Sequence, residues 1–244
     1  VTPLAMLGVL VAPAWDVAAW ALAALMVLLQ GLAQWPFAIV SVATPALWMG
    51  AMGIFGGIFL VARLPWWVRL LGLPLVLPVL LWQAPRPAAG EFELLAADIG
   101  QGSAVLVRTE GHTLVYDAGP RYSLESDAGH RVLVPLLQAL GVRVLDQLVL
   151  THRDTDHSGG ASAVLQALPV GLVQSSLEPG HPLRARAPHQ RCTAGTRWEW
   201  DGVRFEVLHP EAADHDRPGI AMLRPNAVSC VLRVASSGGR AAAW

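Results

Sequence analysis

Two patterns of apolar residues divide the chain. Up to about residue 83 the apolar positions follow one another almost without interruption, whereas beyond residue 90 they come in short runs separated by polar turns. In the first part, residues 37–62 are 26 positions without a charge. About 20 apolar residues suffice to cross a hydrocarbon core of about 30 Å, so this is the best predicted membrane span. Gly50, Gly53, Gly56 and Gly57 within it suit close helix contacts inside a bundle. Residues 17–32 form a shorter apolar helix preceded by Pro13 and Asp16, either a span or a helix lying in the interface. Residues 70–82 are a further candidate, shortened by Arg69 and interrupted by Pro74 and Pro78, and residues 1–11 resemble the tail of a span. Prolines are tolerated in membrane helices when neighbours satisfy the freed carbonyls. Trp35, Trp48, Trp66, Trp67 and Trp82 partly cluster near predicted ends, as interfacial aromatics do.

The second part changes period. Strands are predicted over 92–97, 104–109, 112–116, 146–150, 171–175, 196–200, 203–208 and 229–235, and helices over 130–141 and 161–168, the latter closed by Pro169. Asp201-Gly202 is a strong hairpin turn between two of these strands. Residues 122–129 and 179–191 read as polar or irregular loops. Strands and helices mixed in this order fit two packed sheets with helices outside.

Charge sharpens the division. Asp16, Arg63 and Arg69 are the only charged side chains in residues 1–83, against 32 of the 35 in the remainder. The expected organisation is a helical transmembrane segment at 1–83, a Pro-rich linker at 84–90 and a water-soluble domain at 91–244. Arg63 and Arg69 between two candidate spans favour a cytoplasmic loop and a soluble domain on the outer face, with Arg86 arguing the other way. The stretches are too long and too many for a signal peptide. The soluble part has 15 Arg and no Lys against 17 acidic residues, so it shows no basic footprint for nucleic acid. A chain that starts without Met inside apolar sequence is expected to be a piece of a longer protein. Cys192 and Cys230 match no metal spacing; they pair if the domain is exported, or remain two buried thiols.

The chemistry concentrates at Thr151-His152-Arg153-Asp154-Thr155-Asp156-His157-Ser158-Gly159-Gly160, between a predicted strand and a predicted helix. Imidazoles and carboxylates turned to one point by a loop at a strand's carboxyl end are what divalent metals take as ligands. The loop 98–102, with Asp98 and Gln101 between glycines, suits a tight connection at a site edge or a plain hairpin; Asp117 before Gly119-Pro120 suits an orienting carboxylate or a plain turn. Arg184, Arg186 and Arg191 with His181 and His189 would meet phosphates or form a solvated loop. His209 and His215 read as surface histidines.

The central decapeptide resembles the His-x-His-x-Asp-His signature of the metallo-β-lactamase superfamily, with Asp154 in place of the second histidine. The resemblance implies an α/β fold, the αββα sandwich. The ordered set of residues 98–102, 117–120, the metal loop, 200–202 and 226–232, behind several apolar segments, resembles the ComEC family of DNA-internalisation competence proteins. That resemblance implies a multi-pass channel in the bacterial inner membrane, admitting one strand of transforming DNA, with an outer lactamase-like domain acting as a nuclease. Its partners would be DNA, membrane lipid and other competence machinery. It also implies two divalent ions, one on His152 and Asp154 and the other on Asp156 and His157, with Asp156 as the candidate catalytic residue. Asp98, Gln101, Asp117 and Asn226 would lie at the site edge or behind the ligands. The harder Asp154 ligand moves preference from Zn²⁺ toward Mn²⁺. The superfamily's further ligands would fall after Trp244, so the domain is expected to be truncated and the site incomplete and inactive as it stands. The alternatives are a transporter whose lactamase-like domain does not catalyse, and a membrane-tethered hydrolase of small esters or lactams.

Overall fold

The computed structural model describes residues 2–35, 38, 40, 42–216, 220 and 224–243. Contacts divide the chain into two compact units, residues 1–41 and 42–244. The first holds α1 (Thr2–Leu7) and α2 (Pro13–Ala33). Pro13 sits in the first turn of α2, where its missing N–H is no loss. At 21 residues, α2 is the one helix among those described that is long and apolar enough to cross a membrane. The predicted tail of a span at 1–11 forms only the short α1.

The second unit opens with α3 (Leu47–Val61), α4 (Trp66–Arg69), a 3₁₀ turn (Leu70–Gly72) and α5 (Leu73–Leu80). The predicted span over 37–62 is therefore a helix of 15 residues, about 22 Å at ~1.5 Å per residue, which falls short of a bilayer core. Positions 37, 39 and 41 of that span lie outside the described residues. Extended residues close to prolines mark its limits. Pro45 precedes the extended N-cap Ala46, and Ala62, just ahead of Leu64-Pro65, is extended as well. The candidate over 70–82 is likewise short, starting as a 3₁₀ turn. Glycine has a definite use here: a Cβ on Gly56 would stand 2.7 Å from the Gly72 carbonyl, and one on Gly72 2.4 Å from that of Gly56. The two helical segments touch backbone to backbone at this point.

Two sheets follow. The first has six strands in the order β1 (Glu93–Ala96), β2 (Val105–Arg108), β3 (Thr113–Tyr116), β6 (Leu145–Leu150), β7 (Val170–Ser175) and β8 (His189–Arg191). β3, β6, β7 and β8 are parallel, while β1 and β2 join antiparallel. The second, antiparallel sheet runs β12 (Ala241–Ala243), β11 (Val231–Ala235), β10 (Val203–His209), β9 (Arg197–Trp200). β2 and β3 are buried at every position, as central strands covered on both faces must be. β10 alternates buried and open positions along most of its length and so has one wet face. One face of the first sheet packs Leu106, Val115, Leu148 and Val173 against α6 (Val134–Ala139) and α8 (Ala161–Ala167). Its other face packs Val107, Leu114 and Val149 against Phe205, Val207 and Leu232 of the second sheet. Among the described residues the layers are thus helix, sheet, sheet.

Local departures from expectation have local causes. The loop over 122–129 contains a small hairpin, β4 (Arg121–Ser123) and β5 (Ser126–Asp127). The helix predicted over 130–141 starts as a π turn (Gly129–Leu133) before α6, and the irregular 179–191 ends in β8, whose only partner among the described strands is β7.

The rim away from the metal loop is held by Asp201. Asp201 and Gly202 both have positive φ, 52° and 79°, the form of a type I′ hairpin turn. Its carboxylate accepts bonds from Thr109 Oγ1 at 2.6 Å, Gly111 N at 2.7 Å and His112 Nδ1 at 3.0 Å. Its carbonyl accepts Gly90 N at 2.6 Å, which ties residues 84–90 down. Burial alone would push this carboxyl up; the bonds from His112, Thr109 and Gly111 outweigh it and bring it down to about 2. A carboxyl lowered on folding stabilises the native state above its unfolded value of about 3.9, and that contribution disappears as pH falls through the folded value. Asp201→Asn, which tolerates the same backbone, is expected to melt below wild type at pH 7, with the gap closing between about pH 4 and pH 2. Thermal melts across that range check it; a pH-independent gap would mean that the charge contributes nothing.

Candidate metal centre

The loop from β6 to α7 (Thr155–Ser158) and α8 carries the four candidate ligands in one turn of chain. Two nitrogen–carboxylate pairs form: His152 Nε2 lies 3.5 Å from Asp154 Oδ2, and His157 Nε2 lies 3.5 Å from Asp156 Oδ2. The two imidazoles are adjacent, with ring centroids 4.2 Å apart. His152 is buried and His157 largely so, while Asp154 and Asp156 open to solvent.

The groups behind the rings decide which nitrogens face outward. Asp117 Oδ2 lies 2.6 Å from His157 Nδ1, and the same carboxylate accepts Thr151 N at 2.8 Å and Thr151 Oγ1 at 3.0 Å. Because that hydroxyl gives its hydrogen to Asp117, its oxygen is left to accept from His152 Nδ1, 2.9 Å away. Ser229 Oγ stands 3.2 Å from the same nitrogen. Both rings therefore carry hydrogen on Nδ1 and present a bare Nε2 beside a carboxylate. The electrostatics differ between the two rings. Burial foremost, then His157, pulls His152 down. The hydrogen bond it donates to Asp117 foremost holds His157 up, against its own burial. Burial pushes Asp117 up, opposed by the bonds from His157 and Thr151. The raised His157 favours a second hydrogen, on Nε2, which a metal bound there would displace.

Around a tetrahedral ion with bonds of about 2.0–2.2 Å, neighbouring donor atoms stand roughly 3.3–3.6 Å apart. Each pair therefore has the span of one edge of such a site, and the donor set fits divalent metals. The fit is pairwise: among the described residues no group of three or more His, Cys, Asp or Glu side chains comes together to hold an ion.

The predicted edge residues fall in different places. Asp117 lies inside the site, fully buried. Asp98 is exposed and caps its own turn through Gly100 N at 3.4 Å, and Gln101 is exposed beside it. Their loop nevertheless touches the metal loop by backbone, since Ser103 N donates to the Asp156 carbonyl at 3.2 Å. Gly102, with φ of 108°, leaves room for that carbonyl, which a Cβ would meet at 2.1 Å. Asn226 is exposed in the 3₁₀ turn Pro225–Val228; it is Ser229, three positions on, that reaches His152. His209 and His215 bond to carbonyls, of Ala227 and Cys192, instead of joining the loop.

Thr151, Ser229 and the cysteines were not legible as site residues. Cys192 and Cys230 form a buried disulfide, Cα atoms 5.8 Å apart, which answers the open question of their pairing. Cys230 N donates to the Thr151 carbonyl at 3.1 Å, and Tyr116 Oη donates to the Cys230 carbonyl at 2.6 Å. The Cys230 N bond thus ties the segment carrying Ser229 to the segment carrying His152, and the bridge ties it to the chain just after β8.

Known proteins bear on this geometry. The family described as the metallo-beta-lactamase superfamily matches residues 97–227. Competence protein ComA of Neisseria gonorrhoeae is 39 % identical over 156 residues, 63 % of this chain and 20 % of that protein. Recombination protein 2 of Haemophilus influenzae is 37 % identical over 139 residues, 56 % of this chain and 16 % of that one. ComE operon protein 3 of Bacillus subtilis is 32 % identical over 151 residues, covering 51 % and 19 %. The chain spans no more than 20 % of the length of these relatives. It belongs to the metallo-β-lactamase superfamily and, within it, to the ComEC family of competence proteins.

Proposed function

We propose that this chain is part of an inner-membrane DNA-uptake protein of natural transformation, and that its lactamase-like domain hydrolyses DNA phosphodiesters with two divalent metals, Mn²⁺ or Zn²⁺. The observation that carries the reading is the pair of Nε2–carboxylate edges on one loop, each backed by a group that fixes its tautomer. His152 and Asp154 would hold one ion and Asp156 and His157 the other, with Asp156 as the catalytic ligand. Asp117, Thr151 and Ser229 orient the rings, as partners behind metal-bound histidines do. The chemistry such ions would supply is Lewis acidity at neutral pH.

In this reading residues 1–83 belong to a multi-pass membrane segment in contact with lipid, 84–90 to a linker and 91–244 to the domain at the outer face, where DNA and other competence machinery would meet it. Support comes from α2 and from the exposed Trp20, Trp48, Phe55, Trp66 and Trp67 of the helical part. The disulfide supports an oxidising compartment, since such bridges are rare in the cytosol.

The test uses protein expressed from the complete gene and follows cleavage of single- and double-stranded DNA with Mn²⁺, Zn²⁺ or chelator. Wild type is expected to cut only with metal, and Asp156→Ala to lose at least about 100-fold, the upper range for disturbing a ligand's support. Cleavage that survives chelation, or that Asp156→Ala leaves unchanged, would overturn the proposal. Metal binding without cleavage would favour a second reading, a domain that binds or gates without catalysing. The pairwise grouping of the described ligands is what favours it.

A further inference from the structure

At the end of β7 and across to β8 lies a cluster that the metal centre does not use. The loop between them is anchored by the buried Leu177 and Leu183, and its 3₁₀ turn (Pro182–Ala185) is capped by the His181 ring on Leu183 N. Anchored in this way, Arg184 directs Nε at His189 Nδ1, 3.3 Å away, while His189 Nε2 lies 2.8 Å from Ser175 Oγ. A guanidinium only donates, so Nδ1 is the acceptor and Nε2–H donates to Ser175. The ring cannot then serve as a base toward Ser175, and a serine-nucleophile pair is excluded. Its work is to hold Arg184.

The charged side chains acting on His189 are both positive. Burial first, then Arg184 and Arg191, brings His189 down to about 4, and no carboxylate figures among its neighbours' effects. Arg184 Nη1 is buried without an acceptor. Glu178 Oε2 is also buried and unpaired, so the two do not bond to one another. A buried charged donor lacking an acceptor is among the most unfavourable arrangements a fold can keep, and it is relieved by an anion brought from outside.

Register places this charge beside the metal loop. Leu150, Ser175 and Arg191 are aligned across the parallel strands β6, β7 and β8. Strands about 4.8 Å apart put Arg191 roughly 10 Å from Leu150, the residue just before Thr151 and His152. The carboxyl edge of parallel strands is where such sheets bind ligands.

We propose that Arg184, held by His189 and assisted by Arg191, is a phosphate subsite that grips the backbone of a nucleic-acid strand leading to the metal loop, the Arg191 position standing about three nucleotides from Leu150 at ~3.4 Å per nucleotide. Arg is suited to this, because its planar fork meets two phosphate oxygens at once. The inference rests on the nucleic-acid reading for the source of the phosphate.

The experiment measures binding of a fluorescent single-stranded oligonucleotide to protein from the complete gene, with chelator present, over a series of salt concentrations. Arg184→Ala is expected to weaken binding about 5- to 20-fold and to lower the slope of log K against log salt by about 0.7. Arg184→Lys should keep the slope and recover part of the affinity, since it restores the charge without the fork. A merely structural arginine would lower the melting temperature and leave the slope alone, so melts are run alongside. If Arg184→Ala fails to fold, the exposed Arg191→Ala takes its place. Wild-type binding that neither variant alters in affinity or slope overturns the subsite. If wild type binds no strand, the nucleic-acid reading is what fails, and titration with inorganic phosphate decides the subsite alone. Phosphate binding lost in Arg184→Ala then upholds it with a free phosphate as ligand; no phosphate binding overturns it.

Discussion

Gly160→Ala is expected to leave the lactamase-like domain largely unfolded. A Cβ at this position would lie 2.3 Å from the Ala118 carbonyl oxygen, 2.4 Å from Gly129 N and 2.9 Å from Gly129 Cα. All three are backbone, so no side chain can swing aside. Nor can the backbone yield cheaply: Gly160 N donates to the Gly119 carbonyl at 3.1 Å and Ala118 N to the His157 carbonyl at 2.7 Å. Overpacking in a core costs about 1–3 kcal/mol when side chains can adjust. Here a loss of about 4 kcal/mol or more is expected, the exceptional range for one substitution, against a typical domain stability of roughly 5–15 kcal/mol. Gly238→Ala is the control, because the nearest atom to its Cβ would be Ser236 Oγ at 3.9 Å. Soluble yield and thermal melting check the pair. A Gly160→Ala protein that melts with wild type would mean that the metal loop does not pack on Ala118 and Gly129 as described.

The same contact explains how far the sequence could be read. The succession of strand, polar loop and helix around residues 146–168 was legible because it is local: β6, the ligands and α8 follow one another without a gap. The αββα expectation came through the motif, and what the described residues show of it is one helical layer and two sheets. What could not be read is whatever depends on distant partners. Asp117 looked equally like a turn residue, and only its position, 34 residues before Thr151 yet bonded to it, separates the possibilities. Ser229 meets His152 across 77 positions, and Asn226, the more conspicuous residue nearby, does not take part. The disulfide joins cysteines 38 apart, one just after β8 and the other just before β11, which no spacing rule reaches. β8 escaped notice for a related reason: three residues with the polar sequence His189-Gln190-Arg191 form a strand because β7 offers them an edge. In the apolar part the run of hydrophobic residues set an upper limit on helix length, and the extended Ala46 and Ala62 mark the actual one.

Asp117→Asn should weaken metal binding by about 10- to 100-fold, the range for groups that orient metal-bound histidines, while the domain remains folded. The backbone at this position has φ of 59°, which Asn tolerates and most other residues do not. The amide oxygen can still accept Thr151 N and its hydroxyl, bonds now made at 2.8 and 3.0 Å. The other end of the amide then faces His157 as a donor where a carboxylate oxygen stood 2.6 Å away. Two donors cannot share that contact, so His157 must give up its Nδ1 hydrogen and carry one on Nε2. The nitrogen paired with Asp156 then has no lone pair to offer a metal. Loss of the negative charge also removes the leading cause of the raised His157 proton affinity. Competition with a chelating dye gives the affinity, and ¹⁵N chemical shifts of the His157 ring give the tautomer. A variant with unchanged metal affinity and an unchanged Nδ1–H tautomer would show that Asp117 serves only to fix the Thr151 turn. Weakened binding together with the switched tautomer would make this buried carboxylate the group that commits His157 to the metal, acting on Asp156's partner without touching the ion itself.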